Sequence, residues 1–326
     1  MRAIVIREPG GPEVLELRNV PSPEPPHGHL RVTVRYAGVN RADLLQRMGV
    51  YPAPPGVPID IPGLEYAGVV DALGAGVTRF AIGDRVMGLV GGGAYAEQIV
   101  THEREVVRVP DGLSDERAAA SPEAFLTAYD ALVVRGGLRP GERVLVHAAG
   151  SGVGTAGVQI ARALGCFVVG TSRTQDKLDR CRRLGLDVGV VPAKGRFADA
   201  VKAATGGVGV DVVLDLVGGA YVPETIACVA PRARIVLVGL TAGRIAELDL
   251  GALLQRRLTL VGTVLRSRPL EEKIEATMIL ERTIVPWLAR GVVEPLVDRV
   301  FPLADAGKAH EYVASDASFG KVLLAI

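Results

Sequence analysis

Six short apolar runs alternate with helix-like stretches between residues 144 and 265: VLVHAA (144–149), FVVGTS (167–172), VGVVP (188–192), VDVVLDLVG (210–218), ARIVLVGL (233–240) and LTLVGTVL (258–265). Each is too short for a helix and too uniformly apolar for a strand wetted on one face. Buried strands separated by helices build a parallel sheet covered on both faces. This alternation constrains the chain to an α/β, doubly wound parallel six-stranded sheet over this stretch.

The turn after the first run reads HAAGSGVGTAGVQIARALG (147–165). On the pattern GxGxxG, Ala149, Ser151 and Gly154 take the three glycine positions. Gly150, Gly152 and Val153 lie among them. Small residues let the backbone approach a pyrophosphate, and helix-terminal N–H groups meet its charge. A Gly-rich turn alone is a weak signal. Between a strand and a helix, in a six-strand series, it predicts a Rossmann dinucleotide site. The bland alternative is a strand–helix turn with no ligand.

Cofactor choice is read at the end of the second run. A carboxylate there would bond the ribose hydroxyls of NAD and repel a 2′-phosphate. The chain instead offers Ser172 and Arg173, with Lys177 one turn into the following helix. Hydroxyl and cationic groups suit a phosphate, so NADPH is the expected cofactor. Asp176 opposes this charge, and Arg173 and Lys177 also fit a solvated helix start.

The first 120 residues carry a different pattern. Short apolar runs such as LRVTVRYAGV (30–39), EYAGVVDALG (65–74) and DRVMGLV (84–90) are separated by turns such as PSPEPPHG and YPAPPGVP. Short strands at close spacing suggest a barrel-like β unit. A helix is expected over 122–134, and a helix-rich stretch over 270–290. VEPLVDRVFPL and FGKVLLAI are again β-like, so the C-terminus is expected to return to the first domain. The expected division is 1–122, 123–268 and 269–326.

Composition excludes several classes. A chain of 326 residues, 48% hydrophobic and 22% charged, fits two globular domains rather than a disordered chain. A formal net charge of +1 marks no nucleic-acid or acidic-membrane partner. The N-terminus lacks the long apolar run of a signal peptide, and no apolar stretch is long enough to span a membrane. Three scattered cysteines, Cys166, Cys181 and Cys228, argue against a disulfide framework and fit a reducing cytoplasm.

The two-part layout and these motifs resemble the medium-chain dehydrogenase/reductase superfamily over essentially the whole chain. AGVNRADLLQRMGVYPAPPG (37–56) and IPGLEYAGVV (61–70) look like its zinc-free quinone oxidoreductases, which include zeta-crystallin. PEAFLTAYDAL (122–132), HAAGSGVG and TVLRSR (263–268) look like the subgroup whose human member is induced by a tumour suppressor. The resemblance implies a Rossmann domain inserted in a GroES-like β-barrel domain, and an NADPH-dependent quinone reductase. Zinc alcohol dehydrogenases place Cys where this chain has Asn40, and GHE where it has GLE, so that Leu64 stands at the His position and Glu65 is retained. Neither Asn nor Leu gives zinc the thiolate or imidazole it prefers, so no metal is expected. Without a Lewis acid the acceptor must take hydride readily, and a quinone does so because reduction makes it aromatic.

By resemblance, Asn40, Asp43 and Tyr51 line the pocket facing the nicotinamide. Asn40 would orient a carbonyl, Asp43 would hold neighbouring groups, and Tyr51 would stack, hydrogen-bond or donate a proton. The structural alternative is an Asx-type cap for the helix ADLLQRM and a turn aromatic packed on PAPPG. Thr127 would contact the nicotinamide end, and Ser151 would lie beside the pyrophosphate. Val217 and Gly218 would approach the ribose, and Gly239, Leu240 and Thr241 the carboxamide. Leu265 and Arg266 would cover the cofactor, and Lys321 would reach its phosphate side. Each is otherwise a plain loop or strand-end residue. Relatives often carry a Tyr after the third Rossmann strand; this chain has Pro192.

Two rival readings remain at this point: an enone or enoyl reductase, and a non-catalytic NADPH-binding protein. The last Rossmann run is long, apolar and at an open sheet edge, which requires cover or pairing. The resemblance implies a homodimer through this strand.

Overall fold

The computed structural model describes all residues from Met1 to Ile326 and divides into two compact units, Met1–Leu126 with Leu265–Ile326, and Thr127–Val264. The first unit begins with the strands β1 (Arg2–Ile6) and β2 (Leu15–Asn19), a two-stranded antiparallel sheet. Then come β3 (His29–Val39), helix α1 (Arg41–Arg47), β4 (Glu65–Leu73), β5 (Arg85–Leu89), β6 (Gln98–His102), β7 (Val106–Arg108) and α2 (Asp115–Ala119). Helix α3 (Pro122–Tyr129) carries the chain across the boundary between the units.

The second unit contains β8 (Arg143–Val146), α4 (Gly152–Ala163), β9 (Phe167–Thr171), α5 (Gln175–Arg182), β10 (Val188–Val190) and α6 (Ala198–Ala204). It continues with β11 (Val210–Asp215), α7 (Tyr221–Cys228), β12 (Val229–Leu237), α8 (Leu250–Arg256) and β13 (Thr259–Gly262). The chain then returns to the first unit with α9 (Leu270–Ile279), α10 (Val285–Ala289), β14 (Val297–Pro302), α11 (Ala306–Ala314) and β15 (Lys321–Ala325).

All six apolar runs of the second unit are strands of one parallel sheet, ordered β10-β9-β8-β11-β12-β13. Their side chains are buried on both faces: Val144, Leu145, Val168, Val169, Val212, Val213, Ile235 and Val236 are all inaccessible. That is why the runs are continuous rather than alternating. The order reverses between β8 and β11, which places the crevice of an open α/β sheet at their carboxyl ends. β13 is the outermost strand and its residues are only partly covered.

In the first unit a seven-stranded sheet runs β14-β15-β3-β4-β5-β7, with β6 also paired to β3. The C-terminal strand β15 lies antiparallel to β3, with Val322 opposite Val39. This pairing carries Lys321 to the end of β3, where α1 begins. The core here gathers Leu30, Val32, Tyr66, Val86, Tyr95 and Leu324.

Two helices differ from expectation. The stretch 122–134 is α-helical only to Tyr129 and widens into a π-helical turn over Asp130–Arg135, ended by Gly136 and Gly137. A second π-turn, Leu280–Ile284, precedes Pro286, whose missing N–H and bulky ring disturb a regular α-ladder. No helix is long and apolar enough to cross a membrane. All three cysteines are free and buried.

Candidate active site

Asn40 and Asp43 open α1. Asn40 is extended, as an N-cap must be, and its backbone N–H donates to Asp43 Oδ2 at 2.8 Å. Asp43 is fully buried and does more than cap. Its Oδ1 accepts from Gly63 N at 3.1 Å, and its Oδ2 accepts from the Tyr95 hydroxyl at 3.1 Å. That hydroxyl also meets His310 Nε2 at 3.2 Å. Burial pushes the Asp43 carboxyl up to about 6, against the pull of the Asn40 N–H, Arg266 and Lys321. Burial likewise drives His310 down to about 3, so its ring is neutral. With no exposed atom, Asp43 acts by positioning its neighbours.

The Asn40 side chain is engaged on both ends. Its Nδ2 donates to Glu65 Oε1 at 3.1 Å, and its Oδ1 accepts from Lys321 Nζ at 2.6 Å. Lys321 also reaches Glu65 Oε1 at 2.5 Å and Val39 O at 3.2 Å, so its three donors are all used. Glu65 Oε2 accepts the backbone N–H of Glu123 at 2.8 Å. The expectation that Lys321 serves the phosphate side is therefore corrected. The β15–β3 register delivers its ammonium to Asn40 and Glu65 instead. Asn40 in turn has spent its side-chain N–H groups, the second on Gly38 O at 3.4 Å, and its acceptor inside the chain.

These residues do not fit a zinc ion. Leu64 is buried and has no donor atom, Asn40 offers an amide, and the retained Glu65 is already neutralised by an ammonium. No group of three His, Cys, Asp or Glu side chains converges elsewhere.

Arg266 is also placed differently from expectation. It is buried, and its guanidinium donates to Gly91 O at 2.8 Å, Gln46 Oε1 at 2.5 Å and Tyr51 O at 3.3 Å. The guanidinium lies 5.2 Å from the centre of the Tyr51 ring. It pins the Tyr51 segment rather than offering its charge outward, and Leu265 beside it is buried in the same unit. Tyr51 itself is half-buried, and burial raises its phenol above the ordinary value.

In the second unit the Gly-rich turn is closely packed against the start of α4. Ser151 caps α4 by accepting from Gly154 N at 3.0 Å. Ala148 takes the left-handed conformation, with φ +49°, to make the turn. A side chain at Gly154 would collide with the Ala148 carbonyl and the Ala149 backbone. At Gly150 a Cβ would meet Lys177 Cδ at 2.9 Å, so the Lys177 stem lies against the turn. Gly152 and Val153 form the first turn of α4. Ser172 is buried at the end of β9 and Arg173 is exposed. Thr127 is buried in α3.

The loops after β11 and β12 are joined. Asp215 Oδ1 accepts from Val217 N at 2.8 Å and Gly218 N at 2.9 Å. Its carbonyl accepts from Val238 N and Gly239 N, and Ala242 N donates to Val217 O at 2.9 Å. A Cβ at Gly239 would strike the Leu216 carbonyl. Leu240 is exposed, and Thr241 Oγ1 lies 3.4 Å from Leu216 O.

Sequence reasoning missed Tyr95, His310, His147, Asp215 and Tyr221. None belongs to a spacing motif. For His147 the usable signal was its apolar setting, VLVHAA, which marks a buried neutral imidazole rather than a ligand.

Comparison with known proteins supplies the family. Residues 26–111 match the model of the alcohol dehydrogenase GroES-like domain, and residues 152–280 that of the zinc-binding dehydrogenases. The chain is 36% identical to a quinone oxidoreductase of Pseudomonas aeruginosa over 97% of its own length and 96% of that protein's. It is 42% identical, over 73% of its length, to a segment making up 6% of the pikromycin polyketide synthase component PikAII of Streptomyces venezuelae. Among solved structures, it superposes on an NAD-dependent alcohol dehydrogenase with a TM-score of 0.90 at 35% identity, covering both chains fully. It matches the Escherichia coli quinone oxidoreductase complexed with NADPH with a TM-score of 0.87 at 30% identity, again covering both chains fully. The chain thus belongs to the quinone oxidoreductases of the medium-chain dehydrogenase/reductase superfamily.

Proposed function

We propose that this oxidoreductase is an NADPH-dependent quinone reductase that works without a metal. The observation that carries the reading is the buried Asn40–Glu65–Lys321 cluster, in which an amide stands at the Cys position and the retained carboxylate is paired with an ammonium. Lacking a Lewis acid, such a site suits acceptors that need no polarised carbonyl, and quinones fit best. The Escherichia coli relative complexed with NADPH supports the cofactor.

NADPH when bound supplies a hydride to the acceptor. The Gly150–Gly154 turn and the N-terminus of α4 hold the pyrophosphate by backbone N–H groups. Ser172, Arg173 and Lys177 hold the 2′-phosphate. Val217, Gly218, Gly239, Leu240 and Thr241 hold the ribose and carboxamide, and Thr127 holds the nicotinamide end. Tyr51, pinned by Arg266, orients the acceptor oxygen by its hydroxyl. Asn40 and Asp43 fix the start of α1 behind it.

Likeness to polyketide synthase segments favours one second reading, reduction of a conjugated enone or enoyl thioester. NADPH oxidation by chelator-treated enzyme, measured across ortho-quinones, para-quinones, enals and enoyl thioesters, decides. Quinone turnover that survives chelation supports the proposal. Turnover of thioesters alone selects the second reading, and activity lost with a stoichiometric metal overturns both.

The working form we infer is a homodimer joined through β13. The strand is an open edge, and Ile245, Leu250 and Leu254 nearby in sequence are 89%, 70% and 78% exposed. Light scattering at micromolar concentration should give twice the chain mass; a strict monomer would overturn this.

A further inference from the structure

We propose that Tyr221 is part of the adenosine site, donating its phenolic hydrogen to the cofactor's 2′-phosphate beside Arg173. The inference rests on the NADPH reading above and adds a residue to it.

A buried brace stands where the sheet order reverses. His147 directly follows β8 and is fully buried. Its Nδ1 pairs with Thr171 Oγ1 at 2.8 Å, and its Nε2 with Thr225 Oγ1 at 2.9 Å. Thr171 ends β9, two residues before Arg173. Thr225 lies on α7, four residues after Tyr221. One imidazole therefore ties the strand that delivers Arg173 to the helix that delivers Tyr221. Burial holds this ring neutral, at about 4, so it is a brace and not a charge that would itself attract phosphate.

Tyr221 begins α7 immediately after the tight turn made by Gly218 and Gly219, both at positive φ, and Ala220. Its ring is flanked by His147, edge-on at 5.2 Å, and by Phe197, tilted at 5.0 Å. Phe197 and His147 also meet each other at 4.9 Å. The Tyr221 ring is thus fixed on two sides, yet the residue remains partly exposed.

The charges around it set the ligand. Burial raises the phenol, the largest influence, so it stays protonated and serves as a donor. Arg173 draws it down and Asp215 pushes it up, so both lie within electrostatic reach. Asp215 already uses Oδ1 on two backbone N–H groups. Arg173 lies two residues beyond Thr171, whose hydroxyl is held by the same His147 ring that packs on Tyr221, so an anion bound there would meet a cation and a phenolic donor together. A phosphate monoester suits that place. It accepts one hydrogen bond from a rigid hydroxyl and pairs with a guanidinium on an exposed side chain.

Tyr221→Phe keeps the ring and removes the donor. Calorimetric titration of the full-length protein with 2′,5′-ADP and 5′-AMP isolates the adenosine end. The variant should bind 2′,5′-ADP about tenfold more weakly and 5′-AMP with unchanged affinity. NADPH and NADH should show the same contrast. In an Arg173→Gln background the effect of Tyr221→Phe should shrink, because the two groups share one phosphate. Wild-type protein with no preference for 2′,5′-ADP would overturn the NADPH reading itself. A wild-type preference that survives in Tyr221→Phe, or equal weakening of both ligands, would overturn only the role of Tyr221.

Discussion

The Lys321 ammonium lies 2.5 Å from a carboxylate oxygen of Glu65, with the lysine side chain 5% exposed and the glutamate wholly buried. An ion pair taken out of water is held by its hydrogen bonds, and here Asn40, Val39 and the Glu123 N–H supply them. Removing one partner leaves the other charge stranded. Lys321→Met should therefore cost roughly 3–5 kcal/mol in urea unfolding. The double variant Lys321→Met with Glu65→Gln should recover much of that loss. Equal stability of the single variant and wild type would show that Glu65 finds solvent or another partner.

Acid should weaken the protein through its buried histidines. His147 falls from 6.5 to about 4 in the folded state because burial penalises its charge. The unfolded chain then binds the proton first. Its contribution is complete above pH 6.5 and is lost as pH falls from there toward 4. Between pH 7 and 5 this amounts to roughly 2 kcal/mol. His310, lowered to about 3, adds a parallel loss. In His147→Gln the fall in unfolding free energy over that interval should be smaller by about the first amount. An identical pH dependence in wild type and variant would contradict the assignment.

Tyr51 and Arg266 should separate by kinetics. Tyr51→Phe removes a hydroxyl and should lower kcat with quinones roughly 5- to 150-fold, with NADPH affinity unchanged. Arg266→Lys keeps the charge but cannot reach Gly91, Gln46 and Tyr51 together. It should lower kcat in the same direction by releasing the Tyr51 segment. If both variants turn over several quinones at the wild-type rate, Tyr51 is a packing residue.

Cofactor preference should reside at the end of β9. NADPH should bind at least about tenfold tighter than NADH, or about 1.4 kcal/mol. Arg173→Asp should erase the difference by placing a carboxylate against the phosphate. Fluorescence titration showing equal affinities in the wild type would refute it.

What was legible in the sequence follows the range of the interactions. The second unit's sheet was legible because each strand declares itself by a local apolar run, and the run ends where a turn begins. The Gly150–Gly154 turn was legible for the same reason, and so was the cap made by Asn40 and Asp43, three residues apart. Lys321 was not. Its partner Asn40 lies 281 positions away, and only the pairing of β15 with β3 joins them. Tyr95 reaches Asp43 across 52 positions and His310 across 215. No spacing rule covers such separations. Tyr221 escaped for a different reason: its neighbours are His147, just after β8, and Phe197, at the start of α6, and only the packing of the folded unit brings the three rings together.

The stitching of the loops after β11 and β12 carries an entropic consequence. Asp215 holds Val217 and Gly218 by its side chain and Val238 and Gly239 by its carbonyl, while Ala242 closes onto Val217. A free loop would surrender about 1–2 kcal/mol of backbone entropy for each residue a ligand immobilises. Here folding has already imposed that order on both loops at once. A ligand settling against them gives up little chain freedom, so more of its contact energy is retained as affinity.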